Sequence, residues 1–140
     1  MPKETCHFIL AEDVMTRLPP ASVARACQSH VNLLYLGSVF HDALYYYTGN
    51  NPAVHQLADI FHGADGEDSF ALLRSLGELA QSASTPDLQA SFVAFRVGVA
   101  SHIFADVHFH PMVYFFTGDY FATDPLERAR AQHLHRKFEA

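Results

Sequence analysis

Three residues with metal-ligating side chains follow one another at intervals of four: His102, Asp106 and His110. An α-helix turns about 100° per residue, so positions four and eight residues along lie about 40° and 80° from the first. The three side chains therefore share one stripe of a helix and can converge on the same ions. Because a carboxylate has two oxygens, Asp106 in the middle could bridge ions bound on either side.

The end of this helix decides which further histidine belongs to the stripe. Pro111 disfavours the helical conformation at the preceding residue, so the helix is expected to end at His110. His108 lies about 240° around the axis from His102 and points elsewhere, which makes it the weaker candidate.

The neighbours of Asp106 also favour a metal ion. Val99, Ile103 and Phe104 place His102 and Asp106 in apolar surroundings, where an ionised carboxylate needs a partner or a metal. The alternative is a buried hydrogen bond between the aspartate and a histidine, with no metal involved.

A second pair with the same spacing, His135 and Glu139, lies near the end of the chain. One face of a final helix would carry both residues, as in other paired helical zinc ligands, whereas His133 is about 160° away. A single pair of this kind is more often an exposed ion pair than a metal site. Two sets in one small chain that has ten histidines favour a metal-binding protein, with zinc as the expected ion.

The elements that must position these residues are predicted to be helices. A first helix is expected from Glu4 to Leu18, where Pro19 and Pro20 stop it, and Pro20 then begins a second helix toward His30. Capping side chains precede prolines at three further predicted starts: Asn51-Pro52, Thr85-Pro86 and Asp124-Pro125.

The remaining segments agree with an all-α class. Residues Glu67 to Ser82 have helical spacing of apolar residues, and no alternating strand pattern is evident, although periodicity cannot assign short apolar runs such as Val31 to Tyr35. At 140 residues and 49% apolar, the chain can bury one core. We expect one compact multi-helix domain over residues 1–140, with the metal site between helices.

Composition narrows the functional class. A formal charge of -6 argues against binding to duplex nucleic acid, which depends on Lys and Arg. Two cysteines, and no basic region followed by an apolar run at the N-terminus, favour a cytoplasmic protein without a leader. The most apolar stretch, Phe92 to Phe116, contains Arg96, Asp106 and three histidines, so we predict a buried helix of a soluble protein and no transmembrane segment.

The candidate ligands recur in a definite order along nearly the whole chain. They are His7; Asp42 in Gly-Ser-Val-Phe-His-Asp-Ala-Leu-Tyr-Tyr; His62 in Phe-His-Gly; His102 and Asp106 in Ser-His-Ile-Phe-Ala-Asp-Val-His-Phe-His-Pro; and His135 and Glu139 in His-Arg-Lys-Phe-Glu. This order resembles the zinc-dependent phospholipase C family of bacteria. More distantly, it is similar to the fungal-type zinc nucleases that cut single-stranded nucleic acid. The resemblance implies an all-α fold and a zinc cluster that cleaves phosphate esters.

The resemblance implies two or three zinc ions with distinct ligands. Asp42, His62, His102 and Asp106 would hold one zinc; His110, His135 and Glu139 a second; His7 and the bridging Asp106 a third. In the secreted enzymes an N-terminal tryptophan completes the third site, and this chain has no tryptophan and six residues before His7. In those enzymes the match to His110 lies beyond the proline, where this chain has Val113. Because the chain stops one residue after Glu139, a domain truncated at its C-terminal end is one interpretation.

Other residues could take part in the same site. His41 is adjacent to Asp42 and could replace it, and Asp59 could supply the same carboxylate, but Asp42 ranks above both. Two aromatic runs, Tyr45-Tyr46-Tyr47 and Tyr114-Phe115-Phe116, could line a pocket for a quaternary ammonium group, although such runs are more often core.

Together the residues predict a zinc-dependent phosphodiester hydrolase of the phospholipase C type. Two zincs can lower the pKa of a shared water and stabilise an in-line displacement. Asp42 would accept the proton of that water if it binds metal through one oxygen only. The expected partner is a small phosphodiester or a phospholipid head group. The alternatives are a metal-binding module with closed structural sites, whose ligands fill both coordination spheres, and a single-strand nuclease with base-stacking aromatics at the pocket rim.

Overall fold

The computed structural model describes residues 4–19 and 21–138, which form helices and connecting turns without a strand. The predicted all-α class is therefore confirmed. The helices are α1 (Glu4–Arg17), α2 (Ser22–Ser29), α3 (Val31–Ala43), α4 (Pro52–Phe61), α5 (Ala71–Gln81), α6 (Pro86–Thr117) and α7 (Pro125–Phe138), with 3-10 turns at Leu44–Tyr46 and Ala64–Gly66.

Side-chain caps begin three of the helices where the sequence predicts them. Each cap accepts a hydrogen bond from a backbone N–H of the first turn, which has no partner inside the helix. The bonds join Ala53 N to Asn51 Oδ1 (3.1 Å), Leu88 N to Thr85 Oγ1 (3.1 Å) and Leu126 N to Asp124 Oδ1 (3.0 Å).

Two other predicted starts are displaced. Helix α2 begins at Ser22, after the predicted proline start at Pro20, which lies outside the described residues. Helix α5 begins at Ala71 instead of Glu67, because Asp68 accepts a hydrogen bond from Phe70 N (2.9 Å) and forms a turn first.

Helix α6 does not end at His110, and the prediction that Pro111 stops it is wrong. The helix runs for 32 residues through Pro111 to Thr117. Proline lacks the N–H that would bond the carbonyl of Val107, but Val107 is exposed, so water can reach that carbonyl. His110 and the residues beyond it therefore keep helical register with His102 and Asp106.

The close crossing of α3 and α6 organises the core around the site. Added Cβ atoms at Gly37 and Gly98 would lie 2.3 Å from the Phe95 carbonyl oxygen and 2.1 Å from the Leu34 carbonyl oxygen. The two backbones thus touch where glycine removes the side chains. Two apolar clusters flank the crossing, one around Leu34 and the other formed by Leu76, Val99 and Ile103.

The outer face of the second half of α6 is exposed, so the prediction of a buried helix holds only for its inner face. Phe104, Val107 and Phe115 are 62%, 64% and 83% exposed. Within the described part of the chain, α6 is the one helix long and apolar enough to cross a membrane by length and composition, with 39% of its most apolar window buried. Core helices of soluble proteins pass the same test.

Candidate metal centre

Four side-chain atoms from three parts of the chain surround one small space. His62 Nε2 lies 3.0 Å from Asp42 Oδ1 and 3.8 Å from Asp106 Oδ2, while His102 Nε2 lies 3.7 Å and 3.3 Å from the same two oxygens. The two Nε2 atoms are 3.5 Å apart. A tetrahedral zinc with bonds of about 2.0–2.1 Å has neighbouring ligand atoms about 3.4 Å apart. Five distances among these four atoms are thus close to that spacing. Two compact groups of three candidate ligands share His102, namely Asp42, His62 and His102, and His7, His102 and Asp106.

The helices explain how these four residues meet. Asp42 lies in the last turn of α3, His62 follows the last residue of α4, and His102 and Asp106 are one turn apart on α6. Because α3 and α6 cross at glycines, the carbonyl of Ser38 on α3 comes within 2.9 Å of His102 Nδ1. The same close approach sets Asp42 beside the ligand stripe of α6.

Backbone carbonyls orient the imidazoles of His62 and His102 with Nε2 toward the two carboxylates. His102 Nδ1 donates to the Ser38 carbonyl, and His62 Nδ1 donates to the Ala58 carbonyl at 2.7 Å. These tautomers, assigned from the hydrogen-bond partners, leave the Nε2 lone pairs free for a cation, which is the usual support for a metal-bound histidine.

The electrostatics of His62 agree with a cation at this position. Burial lowers the pKa of His62, but its hydrogen bonds to Asp42 and Ala58 outweigh burial, so the pKa lies above its usual value. The raised pKa means that the contact of Nε2 with Asp42 Oδ1 favours a proton at this position. A metal ion would take the place of that proton.

The other two carboxylate oxygens face a second position beside the first. His7 Nε2 lies 3.7 Å from Asp42 Oδ2 and 3.7 Å from Asp106 Oδ1. Neither ring nitrogen of His7 has a hydrogen-bond partner among the described residues, and the side chain is buried. Burial, together with the charge of His102, lowers the pKa of His7 to about 4, so the ring is neutral at pH 7 and able to ligate. Both aspartates could therefore bridge two ions, whereas the sequence predicted a bridge by Asp106 alone.

Asp106 is ionised despite its burial. Burial by itself raises the pKa of this carboxyl, but the contact with His102 and the charges of His110 and His7 outweigh that cost and lower it to about 2. An ionised carboxylate among several imidazoles is the donor set that a divalent transition metal prefers.

His110 and His135 extend the cluster along α6 to α7. His110 Nε2 lies 4.0 Å from Asp106 Oδ1, and the ring centroids of the two histidines are 5.7 Å apart. Burial lowers the pKa of both side chains, that of His135 to about 4. The predicted ligand Glu139 lies outside the described residues. His110 lines the cavity, whereas His108, the weaker candidate, is exposed and does not.

The two alternatives to Asp42 have other surroundings. His41 is fully buried and its ring stacks on that of His102, with centroids 4.6 Å apart, but it does not join either group of three candidate ligands. Asp59 accepts a hydrogen bond from the Tyr45 hydroxyl at 2.9 Å. Of the three residues, Asp42 has the position of a ligand.

A cavity of about 970 Å³ opens directly onto the candidate ligands. From the predicted aromatic runs, Tyr45, Tyr46 and Tyr114 line its walls, whereas Tyr47, Phe115 and Phe116 do not. Tyr120 and Phe121, in the connection between α6 and α7, also line the cavity, and no spacing in the sequence indicated them. The site is thus one wall of an open, largely aromatic pocket.

Comparison with known proteins gives one result for this chain. The model of a family described as zinc dependent phospholipase C matches residues 6–136. This range contains every candidate ligand except Glu139. Searches of curated proteins and of solved structures give no significant match.

Proposed function

The chain belongs to the zinc-dependent phospholipase C family, and from this premise we propose that it hydrolyses phosphodiesters with two or three zinc ions. The proposed ligands of the first ion are Asp42, His62, His102 and Asp106. His7 with the outer oxygens of the two aspartates would hold a second ion, and His110, His135 and Glu139 a third.

One observation carries the proposal, namely that the group formed by Asp42, His62, His102 and Asp106 is a wall of an open cavity. All four of its residues line the cavity of about 970 Å³. A structural zinc site is closed by protein ligands, whereas a catalytic site keeps a position open to water and substrate. The first ion would have four protein ligands, but the second, held by His7 and one oxygen of each aspartate, would have three and keep a position for water. This open position and the access from the cavity favour a hydrolase over a metal-binding module with closed sites.

The chain's own side chains account for binding and proton transfer. Bound zinc would supply Lewis acidity, polarising phosphoryl oxygens and lowering the pKa of water toward neutrality. Asp42 is the proposed acceptor of the water proton in the form that binds zinc through Oδ1 alone and leaves Oδ2 free. Arg136 lines the same cavity and provides a cation that attracts the phosphate.

The proposed substrate is a phospholipid head group or a small phosphodiester of the same chemistry. Tyr45 stands over His62, with ring centroids 5.3 Å apart, and its hydroxyl donates to Asp59. An aromatic wall with a nearby carboxylate suits a cationic head group, which gains cation–π contacts. This pocket favours a lipid-type phosphodiester over an oligonucleotide.

The experiment compares zinc-loaded wild type with His102→Ala and His108→Ala. The second variant removes an exposed histidine of the same helix and is the matched control. We expect wild type and His108→Ala to cleave a soluble choline phosphodiester, and His102→Ala to lose zinc and at least about a hundredfold in rate. Full activity in a zinc-free His102→Ala protein would refute the proposal. Cleavage of oligonucleotides in preference to choline esters would instead support the nuclease alternative.

A further inference from the structure

The outer face of α6 carries an uncovered apolar stripe opposite the metal-ligand stripe. Between positions 104 and 115, the residues in a sector of about 140° are apolar except His108. We call the apolar members the α6 ridge: Phe104, Val107, Pro111, Met112 and Phe115. All five are exposed, Met112 by 46% and Phe115 by 83%. Earlier on the same face of the helix, Val97 is half-buried and packs against the core around Leu34.

Aromatic rings of neighbouring elements extend the ridge at both ends. The ring of Phe70 lies 6.4 Å from that of Phe104. At the other end Phe116 lies 5.2 Å from Phe115 and stacks on Phe138 of α7 at 5.6 Å, and it is itself 60% exposed. Single exposed apolar residues are common, but a continuous exposed apolar surface indicates a docking site.

The ridge borders the mouth of the cavity. Val107 and Pro111 belong to the ridge and also line the cavity. Across the mouth, Phe121 is 72% exposed and lies 6.3 Å from Tyr114 on the cavity wall. A partner bound to the ridge would therefore lie directly beside the candidate metal centre.

Basic side chains accompany this apolar surface. Helix α7 contains Arg128, Arg130, Arg136 and Lys137 against one acidic residue, Glu127. Arg130 lines a shallow cavity together with Phe116 and Glu127, and Arg136 lines the main cavity together with Phe121. Guanidinium groups at the rim are complementary to the phosphates of a lipid surface.

We propose that the α6 ridge docks on a phospholipid bilayer, with its aromatic rings in the head-group region and the cavity mouth facing the lipid. The proposal rests on the proposed function, since a bilayer delivers phosphodiesters to the mouth whereas a second copy on the ridge would obstruct it. Aromatic side chains beside basic ones are typical of surfaces that lie in a membrane interface.

The test measures sedimentation of zinc-loaded protein with vesicles of equimolar phosphatidylcholine and phosphatidylglycerol. The variants are Phe104→Ser/Phe115→Ser and, as control, Ile9→Ser, which changes an apolar α1 side chain of similar exposure, 60%. Binding scales with inserted apolar area, so we expect the double variant to bind at least about tenfold more weakly and the control to match wild type. Arg130→Gln should weaken binding to these vesicles about fivefold and leave binding to pure phosphatidylcholine unchanged.

The same proteins are assayed on a soluble choline phosphodiester, which separates docking from chemistry. The double variant should cleave it at the wild-type rate while losing activity on the vesicles. Vesicle binding unaffected by the double substitution, or absent in wild type, would overturn the docking proposal and leave the hydrolase proposal standing. A wild-type dimer that Phe104→Ser/Phe115→Ser converts to monomer would overturn it too, because a second copy would then cover the ridge. Vesicle binding that depends on the ridge, with no hydrolysis of either substrate, would support docking and count against the hydrolase.

Discussion

Replacing Asp106 by asparagine should disturb the whole cluster, because this one carboxylate faces four histidines. Its oxygens lie 3.3–4.0 Å from the Nε2 atoms of His7, His62, His102 and His110. Asparagine keeps the shape and one carbonyl oxygen but removes the negative charge and the second ligand atom. Both adjacent metal positions should therefore weaken together.

The size of the effect follows from Coulomb's law. Two unit charges about 4 Å apart interact by about 4 kcal/mol at an effective dielectric of about 20, and a divalent ion interacts more strongly. Loss of at least about 4 kcal/mol corresponds to zinc binding weakened roughly a thousandfold.

The assay is competitive zinc titration against a chromophoric chelator, with zinc content measured after dialysis. Asp59→Asn is the matched control, since Asp59 is a carboxylate on the cavity wall outside the candidate ligand groups. The control should bind zinc like wild type. An Asp106→Asn protein that is folded and binds zinc within about threefold of wild type would refute the reasoning.

Two further predictions concern stability. The metal-free protein should lose stability as pH falls from about 6.5 to about 4, because His7, with a pKa of about 4 in the fold, stays neutral while the unfolded chain takes up the proton. The loss is roughly 3 kcal/mol for this residue. His62, whose pKa is raised in the fold, has the opposite dependence and loses its contribution as the pH rises. Thermal unfolding in the presence of chelator, measured at several pH values, should show this loss of stability in wild type and a smaller loss in His7→Gln. Equal losses in the two proteins would contradict the prediction. Gly98→Ala should destabilise the protein by at least about 2 kcal/mol, since its Cβ would lie 2.1 Å from the Leu34 carbonyl oxygen. In the control Gly77→Ala, the new Cβ meets only the end of the Arg96 side chain, so the change in stability should be neutral or favourable. Equal chemical-denaturation midpoints for the two variants would show that the close crossing of α3 and α6 is not needed for stability.

Helical periodicity was enough to place the ligands that share one helix. The interval of four from His102 to Asp106 fixes their common face, whatever packs on it, and helix α6 positions them as predicted. The prediction failed at Pro111 because a proline in mid-helix is tolerated where the freed carbonyl is open to water, and exposure is a tertiary property. Periodicity therefore gave the stripe but not the length of the helix.

Helical periodicity could not predict which residues of the other helices face the site. His41 and Asp42 are neighbours, and both are buried, so only the approach of α3 to α6 decides which faces the ligand stripe. That approach depends on Gly37 and Gly98, whose contact joins residues far apart in the chain. The place of His7 came from the family resemblance alone, since one histidine on a helix carries no signal of its own.

The most direct test of the account is X-ray absorption and anomalous scattering at the zinc edge on crystals of zinc-loaded protein. We predict an ion between Asp42, His62, His102 and Asp106, with nitrogen and oxygen ligands at about 2.0–2.2 Å. A second peak should lie beside it, between the two aspartates and His7. Zinc found only on exposed residues such as His108 or His133, with no ion between the four candidate ligands, would contradict the central claim.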